Sequence, residues 1–288
     1  MDSTLTTPDG LTLHLREWPL AHAMGTVLIV HGLGEHIGRY AHVAAQLNAW
    51  GWRVAGHDHR GHGASAGPRG GLADADDLLR DLAQVIDAQR AAHPDQPLLL
   101  LGHSMGGTVA ARFVAEGVGA APAAAWHRTV DGLVLSSPAL AADVSAVQTL
   151  LLAVAGRLAP NLRLGNGLQP AWVSRDADVV RAYVADPLNH DRITPRLARF
   201  ILDAGACVRS RAREWTLPTL LLYAGSDRCV APAGSAEFAT AAPPDGVTTQ
   251  VFEPLFHEIF NEPEQGEVFA ALGAWLGLRV DVKVSGRR

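Results

Sequence analysis

Lysine is almost missing from this 288-residue chain. Lys283 is the one lysine, and every other basic side chain is an arginine. The arginines are scattered rather than clustered, and acidic residues outnumber basic ones 29 to 24, for a formal charge of −5. A nucleic-acid surface needs a concentrated positive field, so none is expected. With so many alanines beside it, the lack of lysine is the mark of GC-rich coding and carries no functional message. Cysteine is scarce too. Cys207 and Cys229 are too few and too far apart for a disulfide framework or a metal motif, and they are expected as buried small apolar residues. No apolar run approaches the roughly 20 residues that span a bilayer. No basic stretch followed by an apolar one opens the chain. A soluble, cytoplasmic protein is expected.

Hydrophobic residues make up 48% of the chain. That is enough for a sizeable core, and the length suits one large α/β domain with an insertion. Leu5, Leu11, Leu13 and Leu15 flank Pro8-Asp9-Gly10, which reads as a β-hairpin. Thr26–Val30 is a continuous apolar run, as in a strand buried on both faces. Tyr40, Val43, Ala44, Leu47 and Trp50 have helical spacing, and Gly51 ends that helix. A strand over 52–56, a helix over 74–92, a strand over 98–101 and a strand over 130–136 follow. The alternation stops between 139 and 213, where helical segments (146–158, 176–185, 195–207) occur without a good strand. It resumes with a strand at 219–224, a helix at 232–241, a strand at 248–252 and a helix at 263–276. Strands alternating with helices predict a mostly parallel, doubly wound sheet. The expected organisation is an α/β core over 1–138 and 214–279, a helical cap over 139–213, and a frayed tail over 280–288.

One stretch carries chemistry. Leu98–Leu101 runs into Gly102-His103-Ser104-Met105-Gly106, and a helical segment follows. Gly-x-Ser-x-Gly is a weak signal alone; placed between a strand and a helix it has the context of a nucleophile elbow. A serine nucleophile needs a base, and the base needs an orienting acid. In this kind of fold they come after late strands, acid before histidine. Asp227 follows the 219–224 strand, and His257 follows the 248–252 strand. Glu253 and Glu258 lie on the wrong strand for the acid. Two backbone donors are required for an oxyanion; the amides of Met105 and Leu33 are the candidates. His31 and His103, beside glycines at strand ends, are expected to be buried and hydrogen-bonded. For His57, His59 and His62 a metal site is less ordinary than a glycine-rich loop held by Asp58 and Arg60. No metal and no cofactor are needed for this chemistry.

His31–Tyr40, Asp58–Ser65, Gly102–Gly107, Ser136–Leu140 and Asp186–Leu188 resemble the monoacylglycerol lipase and lysophospholipase branch of the α/β-hydrolases, the serine aminopeptidase S33-type enzymes. The likeness runs over about 25–276 and is weakest in the cap. It implies a Ser-His-Asp hydrolase of single-chain esters, with Ser104, Asp227 and His257 as the triad and Leu33 and Met105 as oxyanion donors. Relatives use a glutamate and an arginine of the first motif around the glycerol head, and these match Glu35 and Arg39. A polar histidine three residues after the catalytic one is replaced by Phe260, which makes a head-group pocket less polar. Thioester hydrolysis, peptide release, acyl transfer and non-catalytic ligand binding are other uses of this frame. The cap segment Leu150, Leu151, Leu152, Val154 and Leu158 is expected to pack on the core, to line an acyl tunnel, or to touch a membrane surface.

Overall fold

The computed structural model describes all residues except 120–121, 143–145 and 286–288; side chains are not described for 146–147, 149–150 and 278–285. Its centre is an eight-stranded sheet in the order β1-β2-β4-β3-β5-β6-β9-β10. The strands are β1 (Asp2–Thr6), β2 (Thr12–Trp18), β3 (Thr26–Val30), β4 (Arg53–His57), β5 (Leu98–His103), β6 (Gly132–Ser136), β9 (Thr219–Ala224) and β10 (Val247–Phe252). β1 and β2 are the expected antiparallel hairpin, β2 pairs antiparallel with β4, and all other pairings are parallel.

The period of two along the strands sorts their side chains between two cores. Leu28, Val30, Leu98, Leu100, Leu133 and Leu135 face one helical layer, built on α2 (Asp77–Ala92), α3 (Ser104–Ala115) and α7 (Pro232–Ala241). Val27, Ile29, Leu99, Leu101, Val134 and Leu222 face the other, built on α1 (Ala41–Ala49) and α8 (Gln265–Ser285). Both faces are covered, which is why the central strands read as unbroken apolar runs. The edge strand β10 is buried only at its ends and carries Thr248, Thr249 and Gln250 outward, a polar edge that discourages pairing with other chains.

Between β6 and β9 lie α4 (Ala146–Leu158), β7 (Leu164–Gly165), α5 (Ala177–Ala185), β8 (Arg192–Ile193) and α6 (Pro195–Ser210). Three features differ from expectation. β7 and β8 form a two-residue antiparallel ladder where no strand was expected; so short a pairing leaves no periodic trace in the sequence. α6 sends Leu197, Phe200, Ala204 and Val208 into the core, so this end of the 139–213 segment is built into the domain. α8 continues through Ser285 where a frayed tail was expected from 280; residues 286–288 lie outside the described residues.

Candidate active site

Ser104 opens α3 directly after the last residue of β5. The reversal takes no linker, so Ser104 adopts φ +53°, a left-handed conformation costly for a residue with a Cβ. Its neighbours make room. A Cβ on Gly102 would sit 2.6 Å from the Gly106 carbonyl oxygen, and one on Gly106 would collide with the Val30 carbonyl. Glycine is thus required on both sides of the turn.

His257 and Asp227 come together from the loops after β10 and β9. His257 Nδ1 lies 2.7 Å from Asp227 Oδ2. The other Asp227 oxygen accepts from the amides of Cys229 (2.8 Å) and Val230 (3.1 Å), which fixes the carboxylate. Burial favours neutral Asp227, yet the facing imidazole and these amides overcome it and lower its pKa. Burial also opposes charge on His257, and the Asp227 carboxylate overcomes it and raises the imidazole pKa. Ser104 and His257 line one cavity of about 240 Å³ together with Gly32, Leu33 and Glu35. Met105, the second residue of α3, stands where a helix has amides without an internal acceptor.

The loop carrying Leu33 is held by buried side chains. His31 is bonded to the Gly32 carbonyl (2.8 Å) and accepts from the His59 amide (2.9 Å). His103 bonds the Ser136 carbonyl at 3.1 Å. Both are buried, as expected. The 57–65 loop is organised by its acid and its arginine. Asp58 accepts from the amides of Ile37 and Ala64, both at 2.8 Å. The Arg60 fork grips Asp81 at 2.6 and 2.7 Å.

The far wall of the cavity comes from the 139–213 segment, with Tyr183, Val184, Asp186 and His190 among its residues. Polar contacts seat this wall. Asp186 meets His36 at 2.8 Å, and the His190 amide donates to Gly34 at 2.8 Å. Asp186 belongs to a motif visible in the sequence, but its latch to His36 was not.

Of the candidate head-group residues, Glu35 lines the main cavity and Arg39 and Phe260 do not. Arg39 and Phe260 line a second, much smaller cavity, together with Tyr40 and His42. Phe260 is buried against Phe269. Glu35 reaches both cavities, but its oxygens are already engaged by the Gly32 amide, Tyr40 and Arg39. The cysteines are half-buried and free rather than core residues. Cys229 lines the main cavity, where burial and nearby Asp227 hold it as a neutral thiol. Asp227, Cys229 and His257 also bring one ligand-type atom each within 4.8 Å of the others; the imidazole and the carboxylate there are already bonded to each other. Sequence reading missed Glu258, which it set aside as an acid on the wrong strand. The signal available was its place next to His257.

The doubly wound sheet, the left-handed serine at a strand-to-helix turn and the cleft beside it define an α/β-hydrolase. The chain belongs to the serine aminopeptidase S33 family, whose model matches residues 21–264. It is 37% identical over 255 residues to a monoacylglycerol lipase of Mycolicibacterium smegmatis, covering 88% of each chain. It is 31% identical to the monoglyceride lipase of Rattus norvegicus, over 96% of this chain and 91% of that one. Among solved structures, the Paleococcus ferrophilus monoacylglycerol lipase superposes with a TM-score of 0.80 at 34% identity, covering 92% of this chain and 98% of that one.

Proposed function

We propose that this protein hydrolyses carboxylic esters of a single acyl chain, monoacylglycerols first among them, through an acyl-enzyme on Ser104. The observation that carries the reading is the buried His257–Asp227 hydrogen bond on the same cavity as the left-handed Ser104. Relatives named as monoacylglycerol lipases supply the substrate class.

In this reading His257 takes the proton from the Ser104 hydroxyl as its oxygen attacks the ester carbonyl. Asp227 holds the imidazole in the required tautomer and offsets the positive charge it acquires. The Leu33 and Met105 amides face the oxyanion, each such donor contributing ~3 kcal/mol to the transition state. The tetrahedral intermediate collapses, and the glycerol oxygen leaves with the proton from His257. Water, deprotonated by His257, then attacks the acyl-enzyme, and the fatty acid departs as Ser104 regains its proton. These steps call on protein groups and one water.

The segment 139–213 acts as the cap in this reading. On α4, Leu151 (62% exposed), Val154 (47%) and Leu158 (82%) turn apolar surface to solvent, which suits brief contact with a lipid surface; the Leu150 side chain lies outside the described residues. Among the described residues no helix is long and apolar enough to cross a membrane. A cytoplasmic setting belongs to the same proposal, and the free thiols fit a reducing compartment.

The test is hydrolysis of p-nitrophenyl esters from C2 to C16, with a monoacylglycerol and lysophosphatidylcholine alongside. Turnover by the wild type and a loss of several orders of magnitude in Ser104→Ala are expected. Equal rates in the two proteins on every ester would defeat the reading. Faster turnover of thioesters than of any ester would move the substrate class.

A further inference from the structure

Arg39 is the meeting point of two loops far apart in sequence. Its Nη1 donates to Glu35 at 2.6 Å and to Glu258 at 2.6 Å, and its Nη2 donates to the other Glu258 oxygen at 2.7 Å. All three side chains are nearly buried, 12% exposed for Arg39, 3% for Glu35 and 7% for Glu258. Each carboxylate is fastened to a different part of the site. Glu35 holds the Gly32 amide at 2.6 Å, and Gly32 directly precedes Leu33. Glu258 directly follows His257, and its own amide donates to the Val173 carbonyl of the cap at 2.8 Å. The ring of Tyr183, on α5, covers the guanidinium at 4.8 Å.

We propose that Arg39 and Glu258 are positioning residues, a clamp that ties the loop carrying the Leu33 donor to the loop carrying the His257 base. The proposal rests on the catalytic reading of Ser104, His257 and Leu33. Separation between donor and base matters because misplacement by about 1 Å can cost on the order of a hundredfold in rate. A planar fork meeting one carboxylate with two bonds fixes both distance and direction. Lysine keeps the charge at this position but loses the fork.

The clamp also has an electrostatic side. Two carboxylates face one guanidinium, so the cluster carries one net negative charge close to His257. His257 is faced by Asp227, Glu258, Glu35, His103 and Cys229. Glu258 and Glu35 add to the pull of Asp227 toward the imidazolium. Removing the Glu258 charge therefore makes His257 easier to deprotonate, whereas Arg39→Lys leaves the charge balance in place.

The experiment compares wild type, Glu258→Gln and Arg39→Lys on p-nitrophenyl butyrate and on a monoacylglycerol. In parallel, the rate of Ser104 labelling by a fluorophosphonate is followed against pH, and thermal midpoints identify folded protein. A 10- to 100-fold fall in kcat is expected in both variants, with KM within about twofold on both substrates. The acidic limb of the labelling rate should move to lower pH in Glu258→Gln and stay in place in Arg39→Lys. A KM increase confined to the glycerol ester would overturn the clamp and make Arg39 a head-group ligand. Unchanged kcat and an unmoved limb in Glu258→Gln would overturn it too. Should Glu258→Gln not fold, Arg39→Lys decides by its kcat and KM. Wild-type protein that labels normally but turns over no monoacyl ester would defeat the substrate reading alone, and the labelling rates would still decide the clamp. Failure of wild type to label would remove both.

Discussion

His257 has to be neutral to accept a proton from Ser104, yet every acidic group around it favours the charged form. Burial lowers its pKa, the Asp227 bond at 2.7 Å raises it, and the net direction is upward from 6.5. As pH falls through that raised value the imidazole protonates and the base is lost, so the acidic limb of kcat/KM should lie above pH 6.5. Replacing Asp227 with asparagine removes the main cause of the rise. The limb should then move below that of the wild type, while kcat falls by about 10⁴, as when the tautomer is wrong in comparable triads. A pH–rate profile of both proteins checks this, and an Asp227→Asn profile superimposable on wild type would show that another acid orients His257. The same linkage has a stability side with its own sign. A histidine whose folded pKa is raised stabilises the fold below its unfolded value near 6.5, and that contribution disappears as pH rises through the folded value.

At the level of elements, α4 carries three of the exposed large apolar side chains of the 139–213 segment. Leu151, Val154 and Leu158 are exposed, whereas the equivalent apolar stripe of α6 is buried on α3. Each fully buried leucine contributes roughly 1.5–3 kcal/mol, and a tenfold change in binding is about 1.4 kcal/mol. Leu151→Ser with Leu158→Ser should therefore reduce turnover of a monoacylglycerol presented in vesicles by about tenfold or more. Turnover of dissolved p-nitrophenyl butyrate should be unaffected. Equal losses on both substrates would show that α4 shapes the cavity instead of meeting lipid. Elements were also the scale most legible in the sequence. The buried parallel strands announced themselves as apolar runs, and β3 and β9 were placed to the residue, because burial on both faces leaves no alternation to misread. The elbow was legible because a reversal without a linker demands glycine at fixed positions. The β7–β8 ladder was not, since two residues cannot show a period. Nor was the anchoring of α6, because an apolar stripe says that a helix is covered without saying by what. The Arg39–Glu258 pair joins positions 219 apart, and no local pattern links them.

The molecule as a whole folds around an unusual amount of neutral imidazole. His31, His57, His59, His62 and His103 are all buried, and the rings of the first four form a connected chain of contacts, with His57 and His59 5.0 Å apart and His31 and His59 4.4 Å apart. Burial pushes them all down: His57 and His103 to about 4, His62 to about 3, and His31 and His59 well below 6.5. Below pH 6.5 the unfolded chain takes up protons at these positions that the folded one refuses. The stability these five contribute therefore falls as pH drops from 6.5 toward 3, and it is complete above that range. His257 contributes with the opposite sign, one residue against these five, and His42, His93, His127 and His190 are lowered as well, so acid lability wins. The thermal midpoint should be flat near neutrality and fall steeply between pH 6.5 and 4. His57 isolates one contribution, because neither of its ring nitrogens has a partner among the described residues. Replacing a buried polar group that makes no bonds with an apolar one of similar volume is close to neutral or stabilising. His57→Leu should hold its midpoint at pH 7 and lose less of it by pH 4 than the wild type does. A His57→Leu protein with the same acid slope as wild type would mean that His57 takes up no proton on unfolding, and that the acid sensitivity resides in other groups, the lowered carboxylates such as Asp227 among them.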